Sequence, residues 1–177
     1  MEQRNPFRWS RLGDAELSPI DRDAIESRLD AVLRSWLGTK YVRGQSCKGA
    51  GVDCVGFVLG IINEMCRWGD RVKRVDFPQD ASMHNPRGAL AVMKQIADTF
   101  APYERVEGTG IVEPGDVIVV GPQNGGPGHG MIVGAQKNTI WHSTGRAVQF
   151  TGMDSLRITR LRIFRVYRYL EKRRWLS

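Results

Sequence analysis

Apolar residues in the first third of the chain recur every three or four positions, the spacing of an amphipathic helix. The first such helix is predicted to begin after Ser18, because Pro19 suits the first turn and Asp21 follows the Ser N-cap by three residues. Gly38 is predicted to end this helix. Its apolar stripe consists of Ile25, Leu29, Val32, Leu33 and Trp36. Residues 1–17, which precede it, are expected to form an irregular arm.

Two more helices are predicted before residue 101. One follows a small-residue loop and Asp53, a good N-cap residue, and runs to about Trp68. The other opens at Asn85-Pro86 and presents apolar residues on one face. Those residues are Leu90, Met93, Ile96 and Phe100.

The pattern then changes to short apolar runs separated by Gly and Pro, which predict strands and turns. The predicted strands cover 116–120, 129–134, 139–143, 147–150 and 158–169, with a glycine-rich loop at 121–128. Helices followed by an antiparallel meander define an α+β domain, here a single domain over 18–177.

Charge favours anionic surroundings. The formal net charge is +7 and the pI is about 9.7, which suits envelope polymers or an acidic partner better than a neutral surface. Basic residues crowd the C-terminus at Arg157, Arg160, Arg162, Arg165, Arg168, Lys172, Arg173 and Arg174. We interpret them as a solvated strand edge. Nucleic-acid binding is the weaker interpretation, because no nucleic-acid module accompanies the charge.

The cysteines predict neither a disulfide framework nor a metal centre. Cys47, Cys54 and Cys66 cannot all pair with one another, and they lack the paired spacing of a zinc site. No phosphate-binding glycine motif is present, so no cofactor is expected. The N-terminus has no apolar signal segment and no stretch is long enough to span a membrane. We therefore expect cytoplasmic synthesis without a signal peptide.

Cys54 is the candidate nucleophile. As the first residue of a helix it meets unpaired N–H groups and the positive end of the macrodipole, which predicts a thiol biased toward thiolate. His129 and His142 stand thirteen residues apart on two predicted strands, a spacing that places their rings side by side across a hairpin. The third histidine, His84, lies in a polar stretch and is expected at the surface. A cysteine facing two such histidines meets the requirement for nucleophile, base and orienting group.

Five blocks of the sequence together resemble the NlpC/P60 family of papain-like cysteine peptidases, which cleave peptidoglycan stem peptides. The blocks lie at 41–44, 51–57, 114–117, 128–134 and 140–143, in the family's order, and the resemblance spans roughly 25 to 150. It implies Cys54 as nucleophile, His129 as base and His142 as orienting residue. It also implies that Tyr41 and Asp53 line a pocket for the amine end of the substrate.

Two positions depart from the family pattern. Val55 replaces a common Ser and removes a hydroxyl expected to hold the amine of L-alanine, while Gln45 replaces a Gly and can donate to a developing oxyanion. The backbone N–H of Cys54 is the safer oxyanion donor. The loop at 45–51 and Val55 are most similar to short members carried by phage tails and gene transfer agents. The resemblance thus implies a tail or particle location, tail-hub partners and action in the cell envelope.

Three functions remain open from the sequence. The first is the stem-peptide endopeptidase, which uses all three residues of the Cys/His/His set. The second is a structural tail or hub component that uses the fold as a binding platform. The third is a related thiol amidase or acyltransferase, since fold and triad do not fix the acceptor. Asp116, in a turn before a strand, is interpreted as structural.

Overall fold

The computed structural model describes residues 8–11, 17–66, 103–105 and 110–176. The helices are α1 (Pro19–Ser35), α2 (Cys54–Cys66) and α3 (Asp154–Ile158), followed by a C-terminal 3₁₀ helix (Lys172–Leu176). The strands are β1 (Arg8–Trp9), β2 (Ser46–Cys47), β3 (Gly51–Val52), β4 (Tyr103–Arg105), β5 (Ile111–Val112), β6 (Val117–Pro122), β7 (His129–Val133), β8 (Thr139–Ser143), β9 (Val148–Gly152) and β10 (Leu161–Tyr169). No helix of the described part is long and apolar enough to cross a bilayer.

Helix α1 begins where the sequence predicts. The Ser18 hydroxyl accepts from the backbone N–H of Asp21 at 3.1 Å, and the Ser18 N–H donates back to the Asp21 carboxylate at 3.4 Å. This reciprocal capping box satisfies two donors that a helix start leaves unpaired. The chain leaves the helix through Gly38, whose φ of +78° suits a residue without a Cβ.

Six strands form an antiparallel sheet in the order β4-β10-β6-β7-β8-β9. Strands β6 to β9 follow one another as the predicted meander, and β10 returns to pair with the free side of β6. The ladder between β7 and β8 is short, since it joins only Ile132 to Trp141 and Val133 to Ile140. Residues 129–131, at the start of β7, therefore have no ladder partner in β8.

Hydrophobic side chains cover both faces of the sheet. On one face, α1 and α2 bury Leu29 and Phe57 in a cluster that includes Ile132 and Trp141. Alternate residues of the same strands point to the other face and pack with Leu156 of α3. The sequence thus buries α2 against the middle of the sheet, which brings its first residue near the ends of β7 and β8.

Several short elements were not expected from the sequence. Strand β1 lies in the arm predicted to be irregular and pairs in parallel with β5. Helix α3 and the C-terminal 3₁₀ helix flank β10. Elements of two to five residues complete too little of a helical or strand period to be recognised. The predicted helix after Asn85-Pro86, the end of the second helix near Trp68, and His84 lie outside the described residues.

Part of the basic C-terminus is buried, so its interpretation as a solvated strand edge is wrong for two residues. Lys172 is 2% exposed and its Nζ donates to Glu113 Oε2 at 2.9 Å. Arg168 donates to both carboxylate oxygens of the fully buried Asp116, from Nε at 3.0 Å and from Nη2 at 2.8 Å. Asp116 also accepts from the Glu113 N–H at 2.9 Å, which confirms its structural role.

Candidate active site

Asp53 holds the first turn of α2 and the loop before it together. Its Oδ1 accepts from the backbone N–H of Gly56 at 2.8 Å, the N-cap geometry that the sequence predicts. Its Oδ2 accepts from the Gly44 N–H, also at 2.8 Å. Asp53 is 6% exposed, so both bonds are shielded from water. Cys54 consequently stands at the first position of the helix, at its positive end.

Gly56 allows this loop to lie directly on the helix. A Cβ at Gly56 would lie 2.3 Å from the Gln45 carbonyl oxygen and 2.6 Å from the Ser46 hydroxyl. Both distances are shorter than any tolerated contact, so a side chain here would push the loop off the first turn. The glycine two residues after Cys54 is thus required by packing.

The segment before Cys54 is also fixed to the sheet. The buried Ser143 hydroxyl at the end of β8 donates to the Val52 carbonyl at 3.0 Å. The Tyr41 N–H donates to the Arg146 carbonyl at 2.9 Å, in the turn between β8 and β9. Helix start and sheet edge therefore move as one unit.

The two strand histidines lie side by side, as their spacing predicts. His129 Nε2 and His142 Nδ1 are 3.1 Å apart, a hydrogen-bond distance, and the rings meet edge to face. The turn that joins the strands contains Asn138, whose φ is +61°. His142 is 9% exposed, whereas His129 is only half-buried.

The thiol of Cys54 lies at the open end of the β7–β8 ladder. The backbone N–H of Gly130, the residue after His129, lies near enough to the sulfur to lower the pKa of the thiol, as do the N–H groups of Val55 and Cys54. Cys54 as a whole residue is partly exposed. Sequence reasoning missed the Gly130 donor, since a backbone amide leaves no side-chain signal in the sequence.

The expectation of a thiol biased toward thiolate is wrong for this structure. Burial raises the pKa of the Cys54 thiol to about 11, and the nearby Asp53 carboxylate also raises it, against the backbone hydrogen bonds that lower it. Burial and the neighbouring His142 lower the pKa of His129 to about 3. Burial lowers the pKa of His142 as well. All three groups are therefore neutral at pH 7.

Because Nε2 of His129 faces His142, Nδ1 is the ring nitrogen of His129 that is left to act as a base. For Nδ1 to accept a proton, the His129 proton must sit on Nε2 and be donated to Nδ1 of His142. His142 then carries its own proton on Nε2, a buried atom with no hydrogen-bond partner among the described residues. This tautomer makes His129 a base and His142 its acceptor.

The predicted binding residues surround this centre in different ways. Tyr41 is half-buried and its backbone bridges Val52. Val55 is buried at 8% exposure on the first turn, and Gln45 is exposed on the loop above it. For Asp53 the structure gives a capping role, and a substrate role for these four residues remains a prediction.

Comparison with known proteins identifies the fold. No family model and no curated protein sequence matches the chain. Among solved structures it is similar to NlpC2 from Trichomonas vaginalis, at 17% identity and a TM-score of 0.55, over 82% of this chain and 46% of that one. NlpC1 from the same organism is 16% identical, with a TM-score of 0.55, over 82% of this chain and 44% of that one. A lipoprotein-like protein of the NLP/P60 family from Staphylococcus aureus is 14% identical, with a TM-score of 0.50, over 90% of this chain and 46% of that one.

The chain spans less than half the length of these solved proteins. At this level of identity the likeness establishes the architecture. The protein therefore has the α+β, papain-like fold of NlpC/P60 domains, as its sequence motifs predict.

Proposed function

We propose that this protein is a cysteine endopeptidase of the NlpC/P60 type that hydrolyses peptidoglycan stem peptides through a thioester on Cys54. One observation carries the proposal: the Cys54 thiol lies at the open end of the β7–β8 ladder, near the backbone N–H of the residue after His129, whose ring pairs with that of His142. A binding platform needs none of these three side chains. The fold and the sequence motifs supply the class of substrate.

The first half of the reaction acylates Cys54. His129 Nδ1 takes the thiol proton as the sulfur attacks the scissile carbonyl carbon, and a tetrahedral intermediate forms. The backbone N–H of Cys54 is the proposed oxyanion donor, because it lies at the helix start and is preorganised. His129 then gives its proton to the leaving amine, the C–N bond breaks and a thioester remains.

The second half releases the acid. Water attacks the thioester carbon while His129 accepts one of its protons, and collapse of the second intermediate expels the Cys54 sulfur, which regains the proton. In both halves His142 Nδ1 accepts from His129 Nε2–H and so holds the ring with Nδ1 available. The products are a carboxylic acid and an amine, with the enzyme unchanged.

Neutral resting groups determine how the proton moves. With the pKa of Cys54 raised to about 11 and that of His129 lowered to about 3, a preformed thiolate–imidazolium pair is disfavoured. Proton transfer therefore accompanies attack, as general-base catalysis, and does not precede it. The low pKa of His129 keeps its ring available as a base well below pH 7.

We also propose that the peptidase is carried by a phage tail or phage-like particle and acts in the cell envelope. The loop at 45–51 and Val55 support this, since they are similar to particle-borne members. Mass spectrometry of purified particles from a producing strain tests it. The chain should co-purify with tail proteins, and its absence from intact particles would refute the assignment.

The proposed activity is tested by incubating the purified protein with defined muropeptides and following the stem fragments by chromatography. The native protein should release fragments, and Cys54→Ala and His129→Ala should not. Cys47→Ala is the matched control, because this cysteine is exposed in β2, and the variant should cleave like the native protein. Tight binding without cleavage would instead favour the binding platform.

A further inference from the structure

The rim of the site beside Tyr41 is basic. Lys40, Arg43 and Arg146 are exposed there, and we call them the basic rim. The sequence has no Asp or Glu over 38–52 or over 117–153, the segments that build this side of the site. Lys48, in the same loop, forms an ion pair of 2.9 Å with Glu64.

The backbone of the basic rim is hydrogen-bonded, through Tyr41 and Lys40, to the segment that precedes Cys54. The Tyr41 backbone lies between the other two segments. Its N–H donates to the Arg146 carbonyl, and on its other side it forms a β-bridge with Val52. Adjacent strands are about 4.8 Å apart, so the Arg146 backbone lies about 10 Å from that of Val52. An extended peptide covers that span in about three residues, and the length of an arginine side chain reduces it further.

Asp53 is the one acidic residue between 38 and 63 in the sequence. Asp53 is buried and its two carboxylate oxygens each accept a backbone N–H, from Gly56 and from Gly44. No described carboxylate forms an ion pair with Arg146. On the Arg146 side of Tyr41 the exposed charged side chains are therefore basic, which favours a substrate anion there.

We propose that Arg146 is a specificity-determining residue that binds a free carboxylate of the substrate within a few residues of the scissile bond. Arg43 and Lys40 add to the positive potential around it. The guanidinium suits this task because its planar fork can bind both carboxylate oxygens. The inference rests on the proposed peptidase function, and it differs from amine recognition by Tyr41 and Asp53.

The test compares two synthetic stem peptides, L-Ala-γ-D-Glu-L-Lys-D-Ala with the α-carboxyl of D-Glu either free or amidated. The native protein should cleave the free acid with a kcat/KM about two- to fivefold higher, the size of one exposed charge interaction. Arg146→Gln should abolish this preference and Arg146→Lys should retain part of it. Arg174→Gln removes the same charge from the C-terminal 3₁₀ helix, which packs on α1, and should keep the preference, which makes it the matched control.

Binding to Cys54→Ala separates this inference from the proposed function. If the native protein cleaves neither peptide, the peptidase function fails, and calorimetry with Cys54→Ala still measures the preference between the two peptides. Tighter binding of the free acid that is lost in Cys54→Ala/Arg146→Gln supports the inference. Equal affinities, an unchanged ratio in the Arg146 variant or no binding of either peptide would overturn it.

Discussion

At the scale of single residues, the site consists of neutral groups whose roles are set by hydrogen bonds. The His129 ring is oriented by His142 at 3.1 Å, and the Cys54 sulfur by backbone N–H groups of α2 and Gly130. The sequence alone singled out these three side chains as the candidate site, and their catalytic roles stay a prediction. Their protonation was not evident from the sequence, because burial opposes the helix dipole and spacing along the chain does not report burial.

Alkylation rates report the thiol directly. Since the pKa of Cys54 is raised to about 11, little thiolate exists at pH 7.5, and iodoacetamide should modify the exposed Cys47 faster than Cys54. Peptide mapping after timed quenching measures both rates, with the buried Cys66 as the slow reference. Faster modification of Cys54 than of Cys47 would show that its thiolate is stabilised in solution.

Two substitutions of His142 test whether its side chain orients the His129 ring or only fills space. His142→Asn keeps an acceptor for the His129 Nε2–H, so its kcat should exceed that of His142→Ala, whereas KM should be similar in both. His129→Ala should be worse than either, because it removes the proton carrier. Equal kcat values for the Asn and Ala variants would contradict the orienting role.

At the scale of elements, the site depends on a loop lying on a helix start and on two strands that separate. Capping and periodicity predicted α1 and the start of α2, because Ser18 and Asp53 act on neighbouring backbone groups. Strands β7 and β8 were predicted from their apolar runs. The contact between the Gln45–Ser46 backbone and Gly56, and the short β7–β8 ladder, were not predictable, since both are tertiary.

Gly56→Ala tests the loop–helix contact. Its Cβ would lie 2.3 Å from the Gln45 carbonyl oxygen, so the free energy of unfolding should fall by about 1–3 kcal/mol and activity should fall with it. Gly145→Ala is the matched control, because nothing lies within 4 Å of its Cβ position, and its stability should change by less than about 0.5 kcal/mol. Urea denaturation measures the free energy of unfolding of both variants. Equal values for Gly56→Ala and Gly145→Ala would contradict the close contact at Gly56.

At the scale of the whole molecule, the packing of α1 and α2 on an antiparallel meander follows from the order of helical and strand periodicities along the chain. The return of β10 to the outer side of β6 was not evident, since a single strand pattern does not name its neighbours. The buried Arg168–Asp116 and Lys172–Glu113 pairs were also missed. In the sequence, those basic residues look the same as their exposed neighbours.

Burial of the histidines makes stability dependent on pH. The unfolded chain binds protons at His129 below about pH 6.5, whereas the folded protein, with a pKa of about 3, does not. Folding stability is therefore complete above pH 6.5 and falls as the pH drops toward 3, by at most about 1.4 kcal/mol per pH unit for this residue. Asp116 and His142 titrate as well, but a variant at His129 shares them.

The comparison of the native protein with His129→Gln isolates this effect. Urea midpoints measured from pH 7 to pH 5 should decline more steeply for the native protein than for the variant. Identical slopes would contradict the lowered pKa of His129.

The central claim is that Cys54 becomes acylated during turnover. Intact-mass spectrometry of a reaction with a stem peptide, quenched in acid within the first turnover, tests it most directly. The account predicts an adduct with the mass of the N-terminal peptide fragment, located on Cys54 and released by hydroxylamine. Fragment release without any adduct, continuing undiminished in Cys54→Ala, would contradict it.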